Sequence, residues 1–440
     1  MHSQRNKDTI LQLIQGLIIL AILFARPFMG IYIGEFRIGE VLTGVGLAIL
    51  VVGFLIGNRF INIFGDSDTL LNIFRLIFIS FLFVALFHET NFVDPYVYKS
   101  SSFIWTLGFF FIGCWYVENK KSYNYFQYLP SILLILLYIF TSIKYPDFFH
   151  DILIKYADKF DTHKASEIFL TYIVANLLNK KFLNKNRFIF FLFLSTSLML
   201  PLFFYMSRGA TIACLIFFAT QLWQLKKVLI GNLKKLLFLL IVSIALFSFS
   251  AVNISTDILF QSIKNQNISQ EAPVTLVQNS VNKVVNQKNY NGLFSFYFKD
   301  GRLFTGEVNA NWRLVLWQDV ITDMREKELL LVGYGYSEII PTMLKQDNNG
   351  WDGTNENVHN YFVQILARGG AFQMGLFIFF YGYLVFEFYK KNKNFSILEF
   401  LIPVIFVSLF DTPMESVRFP LVFYFFLAFF FIRGKAENSI

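Results

Sequence analysis

The stretch VHNYFVQILARGGAFQMGLFIFF, residues 358–380, decides how this chain is folded. It opens on a polar turn, runs apolar to Ala367, breaks at Arg368, Gly369 and Gly370, and resumes as a second apolar block. A helix needs roughly 20 apolar residues to cross a bilayer. The segment from Val358 to Ala367 is too short, so the pattern predicts a helix that lies along one leaflet or dips into it. The glycines then turn the chain into a full span beginning near Ala371. Irregular backbone at membrane depth is tolerated where it is buried in protein or lines a cavity. The pattern therefore points to a cavity with His359 at its mouth.

The rest of the sequence agrees with a membrane setting. Hydrophobic residues make up 55% of the chain, aromatic residues 19%, and charged residues only 15%. A soluble globular chain carries about 25% charged residues. The 57 phenylalanines fall in apolar blocks of membrane-spanning length. The net charge of +8 is explained by loop charge that sets topology, and not by nucleic acid. Cys114 and Cys214 both lie inside apolar blocks, which argues against a disulfide framework or a zinc site. The polar start up to Asp8 leads into a long apolar run without a small-residue cleavage site, so a retained first span is expected.

These blocks predict an all-α polytopic membrane protein of about twelve spans. They fall over 9–25, 38–57, 69–87, 101–117, 126–143, 163–179, 187–205, 209–225, 234–254, 371–389, 395–411 and 417–432. With the N-terminus inside, alternate connections collect RNK, ENKK, NKKFLNKNR and YKKNK, which follows the positive-inside rule. Both termini are then cytoplasmic and the one long connection lies outside. The organisation expected is a bundle over 1–254, an outer loop over 255–357, and a half-helix with three final spans over 358–440. Residues 255–300 are rich in Asn, Gln, Ser and Lys and read as a flexible or weakly helical surface segment. Around 311–325 a helix is expected, with Arg313, Trp317, Val320 and Met324 on one face and Asn311 as its cap. The segment LLLVGYGYSEIIP follows as a turn.

Few residues have chemistry to offer. Arg208 stands where one span ends and the next begins, and Ser207 can cap the second helix. A helix N-terminus beside a guanidinium is an anion site well matched to phosphate. Taken singly, Arg208 reads first as an interfacial arginine snorkelling to headgroups. Arg313 either stacks among Trp312, Leu316 and Trp317, pairs with Asp319 or Glu307, or converges with Arg208 on one anion. His359 has two readings as well. Against an apolar wall at the positive end of a helix its imidazole is held neutral, the form a general base requires. The structural alternative is a buried histidine satisfied by Glu356 or a backbone carbonyl. Glu167 and His163 sit one turn apart and read as a cavity lining or an interhelical hydrogen bond. No P-loop, Gly-x-Ser-x-Gly elbow or His-Glu-x-x-His motif is present.

Three stretches in order resemble the O-antigen ligase and polymerase superfamily. SRGA (207–210) opens a span, NWRLVLWQDVITDM with LLLVGYGYSE forms an Arg-x3-Trp helix before a Gly-x-Gly turn, and VHNYFVQILARGGAFQMGLF precedes a span. The resemblance implies a GT-C-like fold and a metal-independent inverting glycosyltransferase without a cofactor. It implies a donor glycan on undecaprenyl diphosphate, taken at the periplasmic face of the bacterial inner membrane. By position it implies that Arg208 and Arg313 bind the diphosphate and that His359 acts on the acceptor hydroxyl. Asn360, Glu356, Ser207 and Arg368 are candidate further substrate contacts. Arg368 departs from the neutral or acidic residue expected there. The acceptor implied is lipid A–core for a ligase, or a second carrier-linked glycan for a polymerase. A protein O-oligosaccharyltransferase and a lipid-linked glycan flippase are the remaining alternatives. Membrane lipids surround the chain, and no nucleic-acid partner is expected.

Overall fold

The computed structural model describes residues 2–56, 68–119, 128–143, 163–231, 233–254, 296–306, 308–345, 355–411 and 413–434, with isolated positions between these ranges. The surface segment expected over 255–300 lies outside the described residues as far as 295. Its last five residues open a short hairpin.

Every block expected to span carries helix. In chain order the elements are α1 (His2–Met29), β1 (Tyr32–Ile33), β2 (Phe36–Arg37), α2 (Ile38–Ile56), α3 (Asp68–Phe87), α4 (Pro95–Ser100), α5 (Ser102–Trp105), α6 (Gly108–Asn119) and α7 (Leu129–Tyr138). Then come α8 (Ala165–Phe182), α9 (Lys185–Met206), α10 (Arg208–Ile230) and α11 (Leu233–Asn253). The remainder is β3 (Phe296–Lys299), β4 (Arg302–Thr305), α12 (Val308–Glu326), α13 (Tyr361–Asn392), α14 (Leu398–Ser408) and α15 (Arg418–Arg433). Among the described residues, five helices are long and apolar enough to cross a bilayer. They are Thr69–Phe87, Lys185–Met206, Arg208–Ile230, Leu233–Asn253 and Tyr361–Asn392, joined by shorter apolar helices. The protein is a mostly helical, polytopic integral membrane protein. One expected span, 101–117, is not continuous, because the helix breaks at Thr106 and Leu107 between α5 and α6. Here Gly46 of α2 and Gly108 of α6 bring two backbones so close that a Cβ on either would meet the other segment's carbonyl.

The decisive stretch folds as a broken helix. Gly370 has φ 73° and ψ −179°, outside the helical region and open to glycine. A straight helix would separate Tyr361 from Tyr381 by about 30 Å. Their hydroxyls are instead 3.1 Å apart, and both meet the Tyr424 hydroxyl of α15, at 3.3 and 2.9 Å. The half-helix 361–369 therefore folds sharply back along its own span. Breaking a helix frees backbone groups, which must find partners in a medium without water. The Gly-x-Gly segment supplies them. Tyr334 N–H donates to Ala367 O at 2.7 Å, Gly335 N–H to Arg368 O at 3.1 Å, and Ala371 N–H to Leu330 O at 2.7 Å. Gly333, at φ 71°, lies so near that a Cβ would overlap the Arg368 carbonyl. Tyr336 then drops into the bundle against Phe81, with its hydroxyl on Gln373 at 2.9 Å. We call the end of the bundle that carries this junction upper and the opposite end lower.

Helix α12 begins at Val308, earlier than expected, so Asn311 is not its cap. The Asn311 side chain instead accepts from Thr305 N–H at 3.0 Å and ties β4 to the helix. The buried face of α12, Leu316, Val320 and Met324, packs with Ile340, Met343, Val358 and Ala367. This small second core fixes α12 over the half-helix of α13.

Candidate functional site

Helix α13 starts later than Asn355 or Asn357 would require. Asn360 is its cap, with its side-chain oxygen accepting from Phe362 and Val363 N–H at 3.0 and 3.1 Å. His359 therefore stands before the helix and not in its first turn. Its φ of 54° is left-handed, an uncommon state for a residue with a side chain. The surrounding contacts hold that backbone in place. Val358 is buried, its carbonyl accepts from Trp317 Nε1 at 2.6 Å, and its N–H donates to Gln364 Oε1. Such strained positions gather at functional sites.

The histidine's partner is Asn355, and not Glu356 or a backbone carbonyl. Nε2 lies 3.2 Å from Asn355 Oδ1, and that same oxygen accepts from Asn357 N–H at 3.3 Å. The Asn357 contact fixes the amide orientation, so Oδ1 is the acceptor and Nε2 carries the proton. Nδ1 is then the bare nitrogen. It is buried and has no hydrogen-bond partner among the described residues. The ring packs edge-on against Trp312 of α12, with centroids 5.2 Å apart. Burial lowers the imidazole pKa first, and the charges of Arg313 and Lys164 lower it further, to about 4 against the pull of Asp411. Near neutral pH this is an uncharged imidazole with a free lone pair.

Three further segments meet around it. Lys164 and Ser166 at the start of α8 hold Asp411 just beyond α14, at 3.8 and 2.6 Å. The start of α10 abuts the same place, since a Cβ on Gly209 would contact Phe410, the neighbour of Asp411. Ser207 caps α10 as expected from the sequence, accepting from Ala210 N–H at 3.4 Å. Arg208 is exposed at this helix start, and the Asp411 charge acts on His359. Arg313, on α12, acts electrostatically on the histidine. Its expected partner Asp319 is held by Arg302 and Asn348, and Glu307 lies outside the described residues.

The other expected contacts have protein partners. Asn360 caps α13, and Glu356 pairs with Lys99 at 2.7 Å. Arg368, 1% exposed, donates to the Gly335 and Glu338 carbonyls and to the Tyr96 hydroxyl, and lies over the Tyr96 ring. It braces the junction between the broken helix and the Gly-x-Gly segment. Glu167 pairs with Arg418, and His163 bonds the Ile22 carbonyl of α1 at 3.1 Å. Both are interhelical ties.

Sequence reasoning missed Asn355 as the orienting group, and it missed Lys164, Asp411 and Glu415. The acids sit in DTPMES, a short link between α14 and α15 whose proline and paired acids were the available signal. Both carboxyl oxygens of Glu415 are sequestered and lack a hydrogen-bond partner among the described residues. Burial pushes its pKa up to about 8, with Lys164 and Arg368 opposing and Asp411 adding to the rise.

Cations at a helix start, a bare neutral imidazole and a braced turn can bind an anionic leaving group and accept a proton. Residues 168–380 match the family described as O-antigen ligase. No curated protein matches the chain.

Proposed function

We propose that this chain, which belongs to the O-antigen ligase and polymerase superfamily, moves a glycan from an undecaprenyl diphosphate carrier to an acceptor sugar hydroxyl at the periplasmic face of the bacterial inner membrane. One observation carries the reading. The Asn355 contact commits Nε2 of His359 as donor and leaves Nδ1 bare within the field of Arg313.

In this reaction the acceptor O–H gives its proton to Nδ1 while its oxygen bonds to the anomeric carbon. The bond from that carbon to the diphosphate breaks, and the electron pair leaves with the phosphate oxygen. Arg313 and Arg208, the latter at the capped start of α10, stabilise the departing charge as charge-assisted donors. A single displacement inverts the anomeric centre. The lowered pKa keeps the imidazole unprotonated and ready to accept, and it also makes the ring a weaker base, so the proton moves as the negative charge on the departing diphosphate develops.

Ligation onto lipid A–core is the leading assignment, because the only large expected outer connection is the one between α11 and α12. The test uses the purified protein in nanodiscs with carrier-linked glycan and each acceptor separately. Product on lipid A–core is the expected result. Product only between two carrier-linked glycans reassigns the chain as a polymerase. Absence of transfer to either acceptor, with glycan crossing the bilayer in proteoliposomes, replaces the enzyme by a flippase.

A further inference from the structure

We propose that Glu415 is an acceptor-binding residue of this site, its carboxyl group hydrogen-bonding a sugar hydroxyl brought beside Nδ1 of His359. The inference rests on the glycosyl-transfer reading above. It starts from an unexplained cost. Buried polar groups are normally hydrogen-bonded, and leaving one unmade destabilises the fold. Both oxygens of Glu415 are out of contact with solvent, and neither has a partner among the described residues.

The protein had partners available and does not use them. The Arg368 guanidinium is turned to Tyr96 and to the carbonyls of Gly335 and Glu338. Lys164 is turned to Asp411. The carboxyl group is held in position by its backbone. Pro413–Glu415 forms a single 3₁₀ turn with Pro413 and Met414 buried. Its end is tied to α5 by Ser102 Oγ donating to the Glu415 carbonyl at 3.2 Å. This arrangement presents a side chain that the fold itself leaves unsatisfied.

The location and the charge pattern select the ligand. Lys164 and Asp411 act electrostatically on both His359 and Glu415, so the two orphaned groups flank one ion pair. The cations near Glu415 are already engaged, Lys164 by Asp411 and Arg368 by the Gly335 and Glu338 carbonyls and the Tyr96 hydroxyl, which disfavours a diphosphate there. The donor's anion belongs on the Arg313 and Arg208 side. What fits an uncharged carboxyl group beside a closed ion pair is a neutral polyol. With its pKa raised to about 8, the Glu415 carboxyl is mostly protonated near pH 7, so it can donate to one sugar hydroxyl and accept from another.

The experiment compares Glu415→Leu and Glu415→Gln with the wild type in nanodiscs, using carrier-linked glycan as donor and lipid A–core as acceptor. Glu415→Leu is expected to raise the acceptor KM about tenfold, the value of one hydrogen bond. Its donor KM stays unchanged, and its melting temperature is equal or higher, because an orphaned polar group is removed. Glu415→Gln keeps most acceptor affinity. It also loses the decline in acceptor kcat/KM above about pH 8 that the wild type shows. A wild-type acceptor KM in Glu415→Leu overturns the proposal. So does a lowered melting temperature in Glu415→Leu with both KM values shifted, which marks a structural role. If the wild type transfers nothing, glycosyl transfer fails as the reading. Binding of the lipid A–core oligosaccharide, equal in wild type and Glu415→Leu, then overturns this inference separately.

Discussion

Glu399 and Glu415 stand near opposite ends of α14, and the protein treats them in opposite ways. Glu399, at the lower end, accepts from Lys180 Nζ at 2.6 Å, Gln221 Nε2 at 2.8 Å and Gln224 Nε2 at 2.9 Å. That carboxylate binds α8, α10 and α14 together. Glu415, past the upper end, accepts nothing at its carboxyl group from the described residues. A buried carboxyl group satisfied by the protein is part of the structure, and one left unsatisfied calls for another explanation, which the proposed acceptor contact supplies. The same three helices carry Lys164 and Ser166, Arg208, and Asp411 at their upper ends. The lower clamp thus sets the separation of the groups that surround His359.

The largest effect that tests this contrast is His359→Ala. Losing a general base costs typically 10²–10⁴-fold in rate. Transfer should fall by about that factor while carrier-linked glycan still binds, since the cations remain. A variant within a few-fold of wild-type activity would erase the distinction between a working upper end and a structural lower end. Arg313→Ala comes next. A charge-assisted hydrogen bond is worth about 1.5–3 kcal/mol, so donor affinity should weaken roughly 10- to 100-fold. Arg208→Ala should act in the same direction. Unchanged donor affinity in both variants would remove the diphosphate site.

Glu399→Ala should be felt differently. It leaves Lys180 without its anion and deprives Gln221 and Gln224 of their acceptor at a half-buried position. A loss of about 2 kcal/mol of stability is expected, read as a lower melting temperature. Donor and acceptor KM should stay close to wild type in the protein that remains folded. Lost substrate affinity with unchanged stability would show that the two ends had been assigned the wrong way round.

The legible and illegible parts of the molecule divide along physical lines. The apolar blocks are readable because a bilayer dictates helix length from composition. The interruption at Arg368–Gly370 is readable because two adjacent glycines inside an apolar run have few other uses. The Ser207 cap is readable because capping is a local interaction. The start of α13 misleads, because Asn355, Asn357 and Asn360 are equally good capping residues by type. Only tertiary packing assigns the cap to Asn360 and frees Asn355 to orient His359. Lys164, Asp411 and Glu415 come from separate helix ends, and no sequence period connects them. Arg368 shows the converse problem. Its charge suggested a ligand, and the structure shows protein partners for it at the break in α13, which no sequence spacing indicates.

The smallest predicted effect is also the most specific to the imidazole. His359 ordinarily would titrate near 6.5. Here burial and neighbouring cations lower its pKa to about 4. A depressed histidine pKa means the folded protein binds this proton less readily than the unfolded chain. The base therefore stays active as pH falls through 6, and stability drawn from the neutral ring declines below about 6.5. The acid limb of kcat/KM should lie near 4 to 5, measured with the free enzyme at limiting donor. Arg313→Ala removes one of the cations, so its residual activity should show an acid limb displaced upward. The displacement should be partial, because burial is the larger cause and persists. A wild-type limb near 6.5 would mean that His359 is solvated and titrates freely. A limb unmoved by Arg313→Ala would mean that the arginine's charge does not reach the ring.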